Sequence, residues 1–202
     1  MNVLIACECS GVVREAFRRR GHNAWSCDIK PTEQPGQHIQ DDIRNHLLPP
    51  YPDGIERWDL IIAHPDCTYL CSSGLHWNHR IPGRQELTEE AIKFATMFEK
   101  YADKVCTENP IGCLSSRWRK PEQIIQPYQF GHDASKSTCL WLKNLPPLIP
   151  SKYIEPRFVN GKKRWGNQTD SGQNRLGPSP ERAAERSRTY EGIAEAMAER
   201  WG

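Results

Sequence analysis

The stretch NVLIACECSGVVREAFRRRGHNAWSCD, residues 2–28, decides how this chain folds. Residues 2–7 (NVLIAC) are a short apolar run, the texture of a strand covered on both faces. Residues 11–20 (GVVREAFRRR) continue at helical spacing and stop at Gly21, a residue suited to the left-handed position just past a helix. Residues 23–27 (NAWSC) then read as a second strand ending at Asp28. Strand, helix and strand in succession predict a βαβ unit, and with it a parallel sheet.

The same alternation continues outward. WDLIIA at 58–63 is a third strand, and KVCT (104–107) and TCLWLK (138–143) are two more. Residues 88–102 predict a helix: Thr88 can cap it, Glu89 and Glu90 suit its first turn, and Leu87, Ala91, Phe94, Phe98 and Tyr101 recur at helical spacing. DDI at 41–43 reads as a short turn. From 146 to 185 the chain is rich in Gly, Asn, Gln, Pro and Ser without a period, which predicts a long loop, mobile unless something binds it. Residues 189–200 (TYEGIAEAMAER) predict a closing helix packed on the sheet. The expected organisation is a core over 1–150, a flexible basic segment over 151–188 and a C-terminal helix over 189–202.

Composition sets outer bounds. A chain of 202 residues suffices for one domain with a sizeable core. A net charge of +2 permits a nucleic-acid partner without requiring one. The first residues turn polar too early for a secretory leader, and no apolar run approaches the about 18 residues of a membrane span. A cytoplasmic location is expected, with the eight cysteines as reduced thiols. None forms CxxC, and Cys7 and Cys9 are the nearest approach to a metal pattern, so no metal site is expected.

Ligands of open α/β sheets sit at the carboxyl ends of strands. Four polar clusters fall there: CECSG at 7–11, CD at 27–28, HPDC at 64–67 and ENP at 108–110. Each alone is an ordinary strand-to-helix turn; together they suit the rim of one cleft.

The order of these pieces resembles the DNA cytosine methyltransferases that act at carbon 5 of the ring, and most closely their short phage-type members. IACECSGVVREAFRRRGHNAWSCDI is similar to their first cofactor motif, and DDI at 41–43 to the segment that holds the adenine. DLIIAHPDC is similar to the motif bearing the nucleophile, VCTENP to the Glu-Asn motif, and RTYEGIAEAMAERW loosely to the closing helix. The match is motif-deep and covers most of residues 2–145. It implies a Rossmann-like class I fold that uses S-adenosylmethionine, a mostly parallel sheet with helices on both faces, and DNA as partner. It implies Cys9, Ser10 and Gly11 beside the cofactor, Asp28 on the ribose, Asp42 and Ile43 at the adenine, Cys67 as nucleophile, and Glu108 and Asn109 in the catalytic turn. Lys136 stands where the family carries arginines. The basic segment with Lys162, Lys163 and Arg164 is the only spare chain for contacting DNA.

The chemistry asks for the same residues. A thiolate that adds to carbon 6 of cytosine makes carbon 5 able to take a methyl group from a sulfonium. An acid is needed near ring nitrogen 3, and burial can raise a carboxyl pKa to that end. Cys67 suits the first role and Glu108 the second. The target base has to leave its stack.

Departures and rivals remain beside this reading. The family carries proline before its nucleophile, where this chain has Asp66, a charge that opposes the thiolate. Cys9 replaces the first glycine of the cofactor turn, Glu8 adds a negative charge, and no target-recognition domain has room. His-Pro-Asp is also the J-domain tripeptide, but there it joins two helices rather than following a strand. A Cys67–His64 hydrolase lacks an orienting third group in the sequence, and the amino-group methyltransferases fit less well. HWNHR at 76–80 suits nucleic acid or a solvated loop equally. A non-catalytic module of the same fold, and a pyrimidine-modifying enzyme acting on RNA or a free nucleotide, stay open.

Overall fold

The computed structural model describes residues 1–177, 179 and 182–202. Its strands are β1 (Asn2–Ala6), β2 (Asn23–Asp28), β3 (His38–Gln40), β4 (Leu60–Ala63), β5 (Lys104–Pro110), β6 (Gln123–Ile125), β7 (Thr138–Lys143), β8 (Arg157–Val159) and β9 (Lys162–Arg164). Its α-helices are α1 (Val12–Arg19), α2 (Ser72–Leu75), α3 (Arg84–Thr96), α4 (Leu114–Arg117), α5 (Arg182–Ser187) and α6 (Glu191–Trp201). Seven strands form one sheet in the order β3-β2-β1-β4-β5-β7-β6, and β8 pairs only with β9. The pairs from β3 to β5 are parallel, and β7 runs against both β5 and β6. The α/β, mostly parallel sheet expected from the first residues is present.

The alternation of side chains along β1 divides the core. Val3 and Ile5 pack with Val13, Phe17, Leu60 and Ile62 beneath α1 and α6. Leu4 and Ala6 point the other way, to Ile61, Ala63, Val105 and Phe98. The end of α3 and the 3-10 turn Met97–Lys100 cover that second face, with Ala95, Leu114 and Trp141 continuing it. Covering both faces explains why β1 and β4 are continuously apolar. Helix α1 ends as its sequence predicts. Gly21 takes φ +81°, its N–H donates to Arg18 O, and His22 N–H donates to Phe17 O.

Several expectations need correction. Helix α3 starts at Arg84 after Gly83, not at Thr88. Thr88 is buried inside the helix, where its hydroxyl meets Tyr69 O and Arg84 O, and Leu87 is exposed. β5 runs on through Pro110, so Glu108 and Asn109 belong to the strand rather than to the turn after it. The sequence reading misses β3 and β6. Within the segment expected to be a loop, β8 and β9 form a hairpin turned by Asn160 (φ 48°) and Gly161 (φ 72°). Trp165 then buries itself in a stack on Tyr128, with centroids 4.2 Å apart. Pro178, Pro180 and Glu181 of that predicted loop lie outside the described residues.

From β1 the chain moves to β2 and β3 on one side, then returns to β4 on the other. The sheet order therefore reverses between β1 and β4, and in open α/β sheets the carboxyl ends of the strands at such a reversal are where ligands bind. The turns Cys7–Gly11 and His64–Cys67 leave from those two ends. Among the described residues no helix is long and apolar enough to cross a membrane.

Candidate functional site

Register builds the centre of the site. Ala63 on β4 is paired with Thr107 on β5, so His64 and Glu108 are the next residues on adjacent strands. His64 Nδ1 lies 2.8 Å from Glu108 Oε2, and the two side chains are 11% and 12% exposed. Asn109 points to the opposite face, where its Nδ2 donates to Pro65 O at 2.7 Å. That bond fixes the chain between His64 and Cys67, so Asn109 shapes the loop of the candidate nucleophile.

The Cys67 loop closes on itself and on the exit of β5. Leu70 N and Cys71 N donate to Cys67 O, and Cys113 N donates to Leu70 O at 2.8 Å. A bridge joins Cys71 to Gly112. A Cβ on Gly112 would lie 2.0 Å from Leu70 O, so only glycine allows this approach. The Asp66 carboxylate does not sit idle beside Cys67. Its Oδ1 accepts from Thr68 N at 2.8 Å and from the Thr68 hydroxyl at 2.7 Å, which tightens the turn.

The electrostatics ties three sequence-predicted residues together. Burial pushes the Cys67 thiol up to about 11; Cys71, Asp66 and Glu108 add to the rise, and Lys136 opposes it. Burial also works to raise Glu108, but the His64 hydrogen bond and the positive charge of Lys136 prevail and hold its carboxyl below the usual range. This corrects the expectation of a raised Glu108: the side chain rests as a carboxylate. Lys136, a nucleic-acid-binding candidate of the sequence, lies in the loop before β7, and its charge acts on Cys67 and Glu108. Its own N–H donates to Gln126 Oε1.

The cofactor candidates surround the neighbouring strand ends. Cys7 takes φ 60° and its N–H donates to Cys27 O, turning the chain into the 8–11 loop. Glu8 is buried, and its Oε1 accepts from Val13 N at 2.8 Å and from Ser10 Oγ at 3.1 Å. Its Oε2 accepts from Arg14 N at 3.3 Å. The amino end of α1 is therefore capped by a carboxylate of this chain. Gly11 takes φ +73°, and Ser10 is buried by its contact with Glu8. Cys9 is half-buried, with burial and then Asp28 raising its thiol. Asp28 is half-buried at the end of β2, where Oδ1 accepts from Lys30 N. Burial and then Asp28 raise the Cys7 thiol, with Asp42 and Asp66 adding, so these strand ends lie around one rim. Asp42 spends both oxygens on Arg44, and Ile43 is buried in the core behind it.

Sequence reasoning passed over Arg14. This arginine is fully buried, and its guanidinium meets Glu15, Ser26, Thr32, Gln34 O and Pro35 O. It holds residues 32–35 over α1, and Glu33 N donates to Cys9 O. An arginine on the inward face of an amphipathic helix is the signal that was available. The sequence sets His64 beside Cys67 or within a His-Pro-Asp tripeptide; its hydrogen-bond partner in the fold is Glu108.

At the hairpin the three basic candidates separate. Lys162 and Lys163 are exposed, beside Phe158 on the paired strand. Arg164 is committed to its own loop through Lys163 O, Asp170 O and Ser171 O. No protein-family model matches the chain, and no curated protein matches it.

Proposed function

We propose that the chain methylates carbon 5 of cytosine in DNA through a transient bond from Cys67 Sγ to carbon 6. One observation carries the reading: the matched ends of β4 and β5 bring Cys67 and Glu108 within electrostatic reach of each other, and the loop before β7 adds Lys136 to both. Because Glu108 rests ionised, it begins as the base. It takes the Cys67 proton as sulfur adds to carbon 6, then gives that proton to ring nitrogen 3, where the displaced electron pair collects. Lys136 steadies the negative charge at each stage. After methyl transfer the carbon 5 proton is lost to water, sulfur leaves carbon 6 as the ring double bond returns, and the nitrogen 3 proton goes back through Glu108 to Cys67.

S-adenosylmethionine, when bound, supplies the methyl group. The Glu8 carboxylate at the start of α1 disfavours a phosphate there and suits a ligand whose charge is positive, as a sulfonium is. Cys9, Gly11 and Asp28 would hold such a cofactor. Asp42 and Ile43 fit less directly, since Arg44 and the core already engage them.

A second reading has its own observation. A thiol at about 11 is ionised in only about one molecule in ten thousand at neutral pH. That favours a binding module of the same fold unless a bound base changes the surroundings of Cys67. DNA carrying 5-fluorocytosine separates the two, because its adduct cannot lose the carbon 5 substituent. A covalent complex that needs S-adenosylmethionine and is lost in Cys67→Ser supports methyl transfer. Binding without an adduct supports the module.

A further inference from the structure

The His64 ring uses one nitrogen and leaves the other unused. Nδ1 meets Glu108 Oε2 at 2.8 Å, while Nε2 is buried with no hydrogen-bond partner among the described residues. A polar atom withdrawn from water without a partner is costly, and it marks a place where a ligand can supply one. In the tautomer that donates from Nδ1 to the Glu108 carboxylate, a neutral ring presents Nε2 as a bare acceptor.

We infer that His64 Nε2 accepts a hydrogen bond from the exocyclic 4-amino group of the target base, so that His64 selects cytosine over uracil. The inference rests on the cytosine reading of the same site and adds what discriminates within it. The edge of cytosine presents an amino donor, ring nitrogen 3 and a carbonyl acceptor in that order. The protein side offers Nε2 as an acceptor, the Glu108 carboxyl for nitrogen 3, and Lys136 as a donor near both Glu108 and Cys67. Uracil places a carbonyl oxygen where cytosine has its amino group. Its lone pairs would face those of Nε2, and the histidine nitrogen would stay unpaired. A site built to receive an amino hydrogen rejects the analogue that lacks it.

Two variants separate reading the base from holding Glu108. Counting bonds from Cβ, the amide nitrogen of asparagine falls where Nδ1 does, and the amide group of glutamine falls where Nε2 does. His64→Asn therefore keeps a donor for Glu108 and removes the reader; His64→Gln keeps an acceptor for the base and loosens Glu108. The measurement is covalent capture of DNA carrying 5-fluorocytosine against the same DNA carrying 5-fluorouracil, with S-adenosylmethionine and with thermal melting of each variant as a check on folding. Wild-type protein should capture the cytosine DNA preferentially. His64→Asn should lower that preference by about tenfold, the value of one hydrogen bond, and His64→Gln should retain it with slower capture. A folded His64→Asn protein with the wild-type preference overturns the inference and leaves the cytosine reading standing. Wild-type protein that captures neither DNA overturns both.

Discussion

His64 Nδ1 and Glu108 Oε2 lie 2.8 Å apart because Ala63 and Thr107, the residues before them, are register partners on parallel strands. The pair needs no loop to form it, only the sheet. Its charge state is set against burial, which pushes the Glu108 carboxyl up. The His64 bond and Lys136 outweigh that tendency and leave the carboxyl pKa below its ordinary value.

A lowered folded-state value makes Glu108 a source of stability that is fully present above the unfolded carboxyl pKa. It is lost as the pH falls through the lower folded value. Unfolding free energy measured from pH 7 down to pH 3 should therefore decline below about 4.5. In Glu108→Gln that part of the decline should vanish. At neutral pH His64→Ala should cost about 1–3 kcal/mol, since it strips a hydrogen bond from a buried carboxylate. An unchanged acid limb in Glu108→Gln would show that other carboxyls account for it.

Cys67 should react slowly with iodoacetamide at neutral pH and faster as the pH rises toward about 11. Lys136→Ala should slow the reaction, because Lys136 opposes the rise. Asp66→Asn should quicken it: the amide oxygen can still accept from Thr68, so the turn survives while the charge goes. Peptide mapping of the alkylated protein reads Cys67 apart from the other seven cysteines. Equal rates in wild-type and Asp66→Asn protein would remove Asp66 as a brake on the thiolate.

What the sequence revealed of this architecture follows from burial. β1, β4 and β7 are covered on both faces, so their apolar runs are unbroken and legible. β3 (HIQ) and β6 (QII) are three-residue strands at the sheet edges, defined by their partners rather than by any pattern of their own. The start of α3 is misread because Thr88 looks like a cap, whereas Gly83 at φ +77° turns the chain one turn earlier. Asn160-Gly161 is a hairpin signal that the compositional reading passes over. Cys67, Glu108 and Asn109 stand out from order and residue type. The pairing of Glu108 with His64 does not, because it depends on the register of two strands more than forty residues apart, as the interval 64–108 shows.

Gly112→Ala tests how the Cys67 loop is held. The new Cβ would sit 2.0 Å from Leu70 O and 2.9 Å from Cys71 Cα, both backbone neighbours that can yield only by moving the loop. The Cys113 N to Leu70 O bond and the Cys71–Gly112 bridge should open together. A loss of about 2–4 kcal/mol in stability is expected, in the range of overpacked sites. Hydrogen exchange should quicken at Leu70 and Cys113 ahead of β1 and β4. A variant with wild-type exchange at those amides would show that the clamp is not what holds the loop.

The hairpin offers a test in which two neighbouring kinds of basic residue give different answers. Lys162 and Lys163 are exposed, and Phe158, 66% exposed, is the register partner of Lys163. Two exposed ammonium groups beside an open ring suit phosphate contact and base stacking. Arg164 is different, since three backbone carbonyls occupy its guanidinium. Replacing Lys162 and Lys163 together with alanine should weaken DNA binding and reduce the salt slope by about 2, with melting unchanged. Phe158→Ala should weaken single-stranded binding with little change in that slope. Arg164→Ala should lower the melting temperature and disturb residues 170–172, whose carbonyls at Asp170 and Ser171 it holds. If the double lysine variant keeps both the affinity and the salt slope, the hairpin is not the DNA-facing element, and the contact belongs elsewhere on the molecule.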